Sequence, residues 1–206
     1  TSKVTDTTTT TTKVTEKPTT SSTTTTKKTT TSQVVPPSGD DDKPTEAFVT
    51  LVFDDSSLVD LENLYPMQDS LGLKTKPTTW SLSSTLINSS KDYILTYYID
   101  FVDDFGNFGD SDFIAESERL NIDKLKYQLL IKKGNQSIYD SGIQDMYDYP
   151  EAEEGRRPII AAQTMNNDQS LDFELRMWLD SAVGNDQQGK KYRFNIDVYY
   201  EFEFIE

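Results

Sequence analysis

The densest group of side chains able to do chemistry is an acidic, glycine-bent stretch in the middle of the chain. It comprises Asp100, Asp103, Asp104, Asn107, Asp110 and Asp112, with Gly106 and Gly109 between them. Hard cations take roughly six to eight oxygen ligands, and a loop of this composition can supply them, so these six residues are the candidate calcium ligands. Their spacing departs from an EF-hand loop, which sets ligands at alternate positions and a glutamate last. The competing reading is a solvated loop at the tip of an acidic domain. A second charged stretch, Asp148 to Glu154 followed by Arg156 and Arg157, reads as a surface turn with local ion pairs.

Other chemistry is removed by composition. The chain has no Cys and no His, hence no thiol nucleophile, no imidazole base, no disulfide framework and no His/Cys zinc or copper site. It holds no Gly-rich phosphate loop, no G-x-S-x-G elbow and no H-E-x-x-H pair. With this many carboxylates, pairs of the glycosidase kind arise by chance. No residue is therefore singled out as catalytic, and calcium is the only cofactor to consider. A sequence pI near 4.4 disfavours nucleic acid as a partner. No apolar run approaches the ~18 residues of a membrane span.

Aromatics offer a milder chemistry. Tyr97-Tyr98 and Tyr199-Tyr200 each put one ring on either face of a strand. Outward Tyr98 and Tyr199 suit a sugar or a partner strand, or else form a cross-strand pair that stabilises a sheet. Asn88 and Asn135 head N-x-S sequons, read as accidental.

The elements that must position these residues divide the chain in two. Eighteen of the first 33 residues are threonine, and all phenylalanine, tyrosine and tryptophan follow residue 46. Residues 1–45 carry a net charge of +1 and residues 46–206 one of −16. The first part cannot bury enough apolar surface to offset its ordering entropy and reads as a low-complexity, disordered Thr-rich stalk. Threonine is also β-prone, so part of it has a second reading as a strand added to a neighbouring subunit.

Residues 46–206 show period 2, the signature of strands with one wet and one buried face. Ala47–Phe53, Trp80–Leu86, Tyr93–Phe101, Leu125–Ile131, Pro158–Thr164, Leu171–Leu179 and Tyr192–Phe204 are expected strands. The Lys133-Gly134-Asn135 turn leads to a hairpin partner near Ser137–Tyr139. Seven to nine strands with polar turns predict an all-β, antiparallel β-sandwich of jelly-roll or Greek-key type. A short helix is expected only within Asp112–Lys124.

Three segments together resemble a known family: Leu64 to Pro77, with its Tyr65-Pro66-Met67-Gln68-Asp69; the strand carrying Trp80 and Asn88; and Leu175-Arg176-Met177-Trp178-Leu179-Asp180 followed by Asn185 to Lys190 and the closing strand. Their order is similar, in pattern over about residues 47–206, to the exported TasA/camelysin-like β-sandwich proteins of Gram-positive bacteria. The resemblance implies a jelly-roll-like sandwich, export by a dedicated signal peptidase and, in some members, matrix fibres in which a strand of one subunit completes the sheet of the next. The metalloprotease label of camelysin-type members does not transfer, since no histidine is present to hold zinc. Fibre subunits of that family start with a short apolar strand, whereas here Phe48–Phe53, or Ser32–Val35, are the donor candidates.

These readings lead to an expectation of a non-enzymatic, secreted surface or biofilm-matrix protein, extracellular or cell-surface. Its partners are expected to be itself, by strand addition, or other surface and matrix proteins. The alternative is an adhesive or ligand-binding module, for glycan or protein, with a calcium-binding acidic loop.

Overall fold

The structure, a computed structural model, describes residues 7–12, 26–34, 46–87, 93–147, 155–166 and 168–204. Within them run β1 (Thr7–Thr12), β2 (Thr26–Val34), β3 (Glu46–Phe53), β4 (Leu58–Leu61), β5 (Pro66–Met67), the helical turn α1 (Asp69–Gly72), β6 (Thr78–Ile87) and β7 (Tyr93–Asp103). Then follow β8 (Leu125–Lys133), β9 (Gln136–Asp140), β10 (Gln144–Asp145), β11 (Arg156–Asn166), β12 (Ser170–Asp180) and β13 (Tyr192–Phe204). They form an antiparallel β-sandwich. The larger sheet is ordered β1-β2-β3-β6-β12-β8, with β9 and β10 paired to β8 and β5 to β12; the smaller is β11-β7-β13-β4. From β6 onward the long strands alternate between sheets, β6, β8 and β12 in one and β7, β11 and β13 in the other.

Each period-2 segment lies in a strand, and along β7, β8 and β12 the apolar face is the inner one. Along β7, Tyr93, Leu95, Tyr97, Ile99 and Phe101 are buried while Ile94, Thr96 and Tyr98 are partly exposed. Phe53, Trp80, Phe173 and Ile131 sit side by side across four strands. Trp80 stacks on Phe173 with ring centroids 5.1 Å apart. Tyr97 of the smaller sheet meets Phe173 edge-on at 5.9 Å, and Phe101 meets Tyr127 at 6.1 Å. These contacts join the two layers, and each buried large apolar side chain contributes about 1.5–3 kcal/mol.

Two local expectations differ. Residues 112–124 form two 3-10 turns, Glu116–Glu118 and Ile122–Lys124, and no α-helix. Neither turn buries a residue; the buried apolar side chains of this stretch, Ile114 and Leu120, flank the first turn on either side. The helical turn is instead Asp69–Gly72. Within the segment expected as a stalk, β1 pairs with β2 from Thr7–Thr31 to Thr12–Thr26, and β2 pairs with β3 from Lys28–Phe53 to Val34–Ala47. A β-branched side chain favours this extended backbone. Of the two donor candidates, Phe48–Phe53 thus lies inside the sheet between β2 and β6, and Ser32 to Val34 pairs with it. The rest of the stalk, Asn88 and the acidic stretch 148–154 lie outside the described residues.

Candidate functional site

The acidic stretch begins in β7 and continues into the loop at the strand's end, and its carboxylates meet arginines. Asp100 points to the outer face of the smaller sheet and is 2% exposed; its Oδ2 accepts from Arg156 Nη1 at 2.6 Å, and Arg156 Nη2 reaches Asp197 at 3.0 Å. Asp103 points inward, where Arg157 donates to both of its oxygens. Tyr192 closes that group: its hydroxyl donates to Asp103 at 2.7 Å and accepts from Arg157 at 3.0 Å. A fork-to-fork guanidinium–carboxylate pair of this kind is the geometry that makes a buried charge tolerable.

Beyond the strand, Arg193 gathers the loop. Its Nε donates to the Asp104 carbonyl at 2.7 Å, its Nη1 to Asp112 at 3.1 Å, and Asn195 donates to Asp104 Oδ2 at 3.1 Å. Asn107 and Asp110 bond each other at the exposed tip, 3.2 Å apart. The six candidate ligands therefore divide among four places: beneath Arg156, beside Arg157, around Arg193 and at the tip. Among the described residues no three His, Cys, Asp or Glu side chains converge as a metal group. The arginines, more than fifty residues from Asp100 and Asp103 in sequence, are the part that sequence reading treated as a plain surface turn.

A second feature escaped sequence reading. Trp178 pairs with Lys126, which places its ring on the outer, nominally wet face of the larger sheet, yet it is 0% exposed. The segment of β5 and α1 covers it. β5 runs parallel to the end of β12, Pro66 beside Leu179 and Met67 beside Asp180. Asp69 then accepts from Trp178 Nε1 at 3.1 Å and from Lys126 Nζ at 3.3 Å, and Lys126 also pairs with Asp180 at 3.1 Å. The hydrogen bond to Asp180, with that to Asp69, holds the Lys126 ammonium above the usual lysine range. The signal was present: Met177-Trp178-Leu179 breaks the alternation of β12 with three successive buried residues, which requires a covering layer on the outer face.

Sheet edges are the places where backbone donors and acceptors remain open to a partner. In the smaller sheet, β11 contains Pro158 and two register shifts against β7, and β4 is four residues long with Asp60 in it. At one side of the larger sheet, β9 and β10 are short and carry Asp140 and Asp145. The other side is different. β1 is six threonines without charge, proline or register shift, and among the described residues it pairs only with β2.

Two surfaces remain. A polar groove of about 550 Å³ on the larger sheet is bordered by Asp54, Thr79, Ser81, Lys132, Asn135 and Asp172. Lys132 and Arg176 pair with Glu174 there, and the Lys132 bond, then Arg176, lowers the Glu174 carboxyl below its usual range. On the outer face of the smaller sheet, Tyr98 and Tyr199 are direct cross-strand neighbours whose rings stack 4.8 Å apart at 5°. Tyr98 donates to Glu201 at 3.2 Å. The cross-strand pair expected as one of two readings is present, and Tyr199 still stands 44% exposed.

Comparison of the chain with models of known families, with curated proteins and with solved structures gives no match in any of the three.

Proposed function

We propose that this chain is a non-enzymatic structural protein of the cell surface or extracellular matrix, whose copies join by strand addition at the threonine edge of the larger sheet. One observation carries the reading: among the described sheet edges, β1 alone lacks the devices that discourage pairing. Six identical residues are their own complement, so β1 of a second copy fits antiparallel beside it. Its neutrality also matters, because the residues from 46 onward carry a net −16 and two copies repel wherever acidic surfaces meet. Pairing of identical edges about a two-fold axis is isologous and closes at two copies, giving a continuous sheet across a dimer. Surface or matrix placement is supported by the resemblance to exported sandwich proteins.

Size-exclusion chromatography with light scattering on the full chain tests this. The expected result is a concentration-dependent species of twice the 23.4 kDa chain mass, lost in Thr9→Pro, since a proline in β1 breaks the ladder that pairing needs. A strict monomer at all concentrations would sink the proposal.

The second reading, a ligand-binding module, is favoured by the half-exposed tyrosine stack on the opposite sheet, where no edge is involved.

A further inference from the structure

We infer that the outer face of the smaller sheet binds a neutral saccharide chain, with Tyr199 as the stacking platform. The site is independent of the β1 edge. Tyr98 covers one face of the Tyr199 ring in a nearly parallel stack, yet Tyr199 remains 44% exposed, so a flat pyranose laid on its free face adds a third layer. An amphipathic ring rigidly held on a strand is a low-entropy platform for such a contact.

A second observation lies beside it. Asp100 is two residues from Tyr98 on the same outer face and directly opposite Asp197, two residues from Tyr199. It is 2% exposed, its Oδ2 is bonded to Arg156, and its buried Oδ1 accepts no hydrogen bond from any described residue. A buried carboxylate oxygen without a donor is unusual, and a ligand hydroxyl is the donor it lacks. Arg156, with a side chain 31% exposed, is the neighbour that yields to admit it.

Charge selects among saccharides. Asp100, Asp197, Glu201 and Glu203 face outward here against Arg156, so an anionic chain is repelled while a neutral one is not. A flat face of axial C–H bonds with equatorial hydroxyls, as in β-1,4-linked glucose-type sugars, best matches a ring bordered by hydrogen-bonding groups.

Affinity gel electrophoresis of the full chain with hydroxyethylcellulose, glycol chitin and polygalacturonate tests the assignment, followed by calorimetry with cellohexaose and chitohexaose. Retardation by a neutral polymer and not by polygalacturonate is expected, with at least a tenfold loss in Tyr199→Ala at unchanged melting temperature. Tyr98→Phe, which keeps the stack, and Thr9→Pro, which alters only the edge, should bind as the parent chain does. No retardation by either neutral polymer, equal retardation of Tyr199→Ala, or preference for polygalacturonate would each overturn it.

Discussion

Gly72 lies flat against the indole of Trp178, so close that a Cβ at that glycine would sit 2.2 Å from Trp178 Cδ2. The contact fixes what residue 72 can be, because the ring is buried and has nowhere to retreat. Gly72→Ala is expected to lower stability by about 2–4 kcal/mol in urea unfolding, as overpacking and loss of the covering turn combine. A change under 0.5 kcal/mol would show that β5 and α1 do not hold the ring as described.

Asp103 and Arg157 give a second prediction. Removing the carboxylate takes away the group bonded to both ends of a guanidinium whose side chain is 5% exposed and faces Tyr192. Asp103→Ala should cost about 3–5 kcal/mol, whereas Asp110→Ala, at the exposed loop tip, should stay within about 0.5 kcal/mol. Equal effects from the two substitutions in chemical denaturation would contradict the division of roles between strand and tip.

Calcium follows from the same geometry. Four of the six candidate ligands are paired with Arg156, Arg157 and Arg193, Asp104 with Asn195 as well, so millimolar calcium, compared with chelator, should leave the melting temperature unchanged. An upward shift of several degrees would show that the arginines release these carboxylates to a cation.

The pH dependence has two limbs. Glu174 is held low mainly by its Lys132 bond, and Asp180 by the Ala182 backbone N–H and then Lys126. Depressed carboxyls stabilise the fold above their unfolded values, and this is lost as pH falls through the folded ones, so stability declines below about pH 4. Lys126 is raised by Asp180 and Asp69, and Tyr97 is raised by burial. Their contribution is complete below the unfolded values near 10 and is lost as pH rises through the folded ones. In a tyrosinate titration the Tyr97 phenol should ionise only with unfolding; reversible ionisation of all 11 tyrosines before loss of near-ultraviolet dichroism would contradict this.

How far the sequence reached depended on whether a feature was local. The strands of Tyr93–Phe101 and Tyr192–Phe204 were legible because period 2 over so many residues has one physical meaning. The partners of Asp100 and Asp103 were not, because nothing local in Arg156-Arg157 says which strand will lie beside them. Leu58–Leu61 is too short to show a period. Trp178 lies on the nominally wet face of β12, and its burial follows from the covering turn more than a hundred residues away in sequence. Tyr98 and Tyr199 were legible as outward residues, but their mutual stack follows from the β7–β13 register, which no single strand contains.

The claim on which the functional account rests is that β1 of one copy lies beside β1 of another. The chain contains no cysteine, so a single substitution reports on it cleanly. Thr9→Cys under mild oxidation should yield a covalent dimer, while Ser56→Cys, exposed between β3 and β4, should not. Equal cross-linking of both variants, or of neither, at concentrations where the parent chain sediments as a dimer would contradict pairing at the threonine edge.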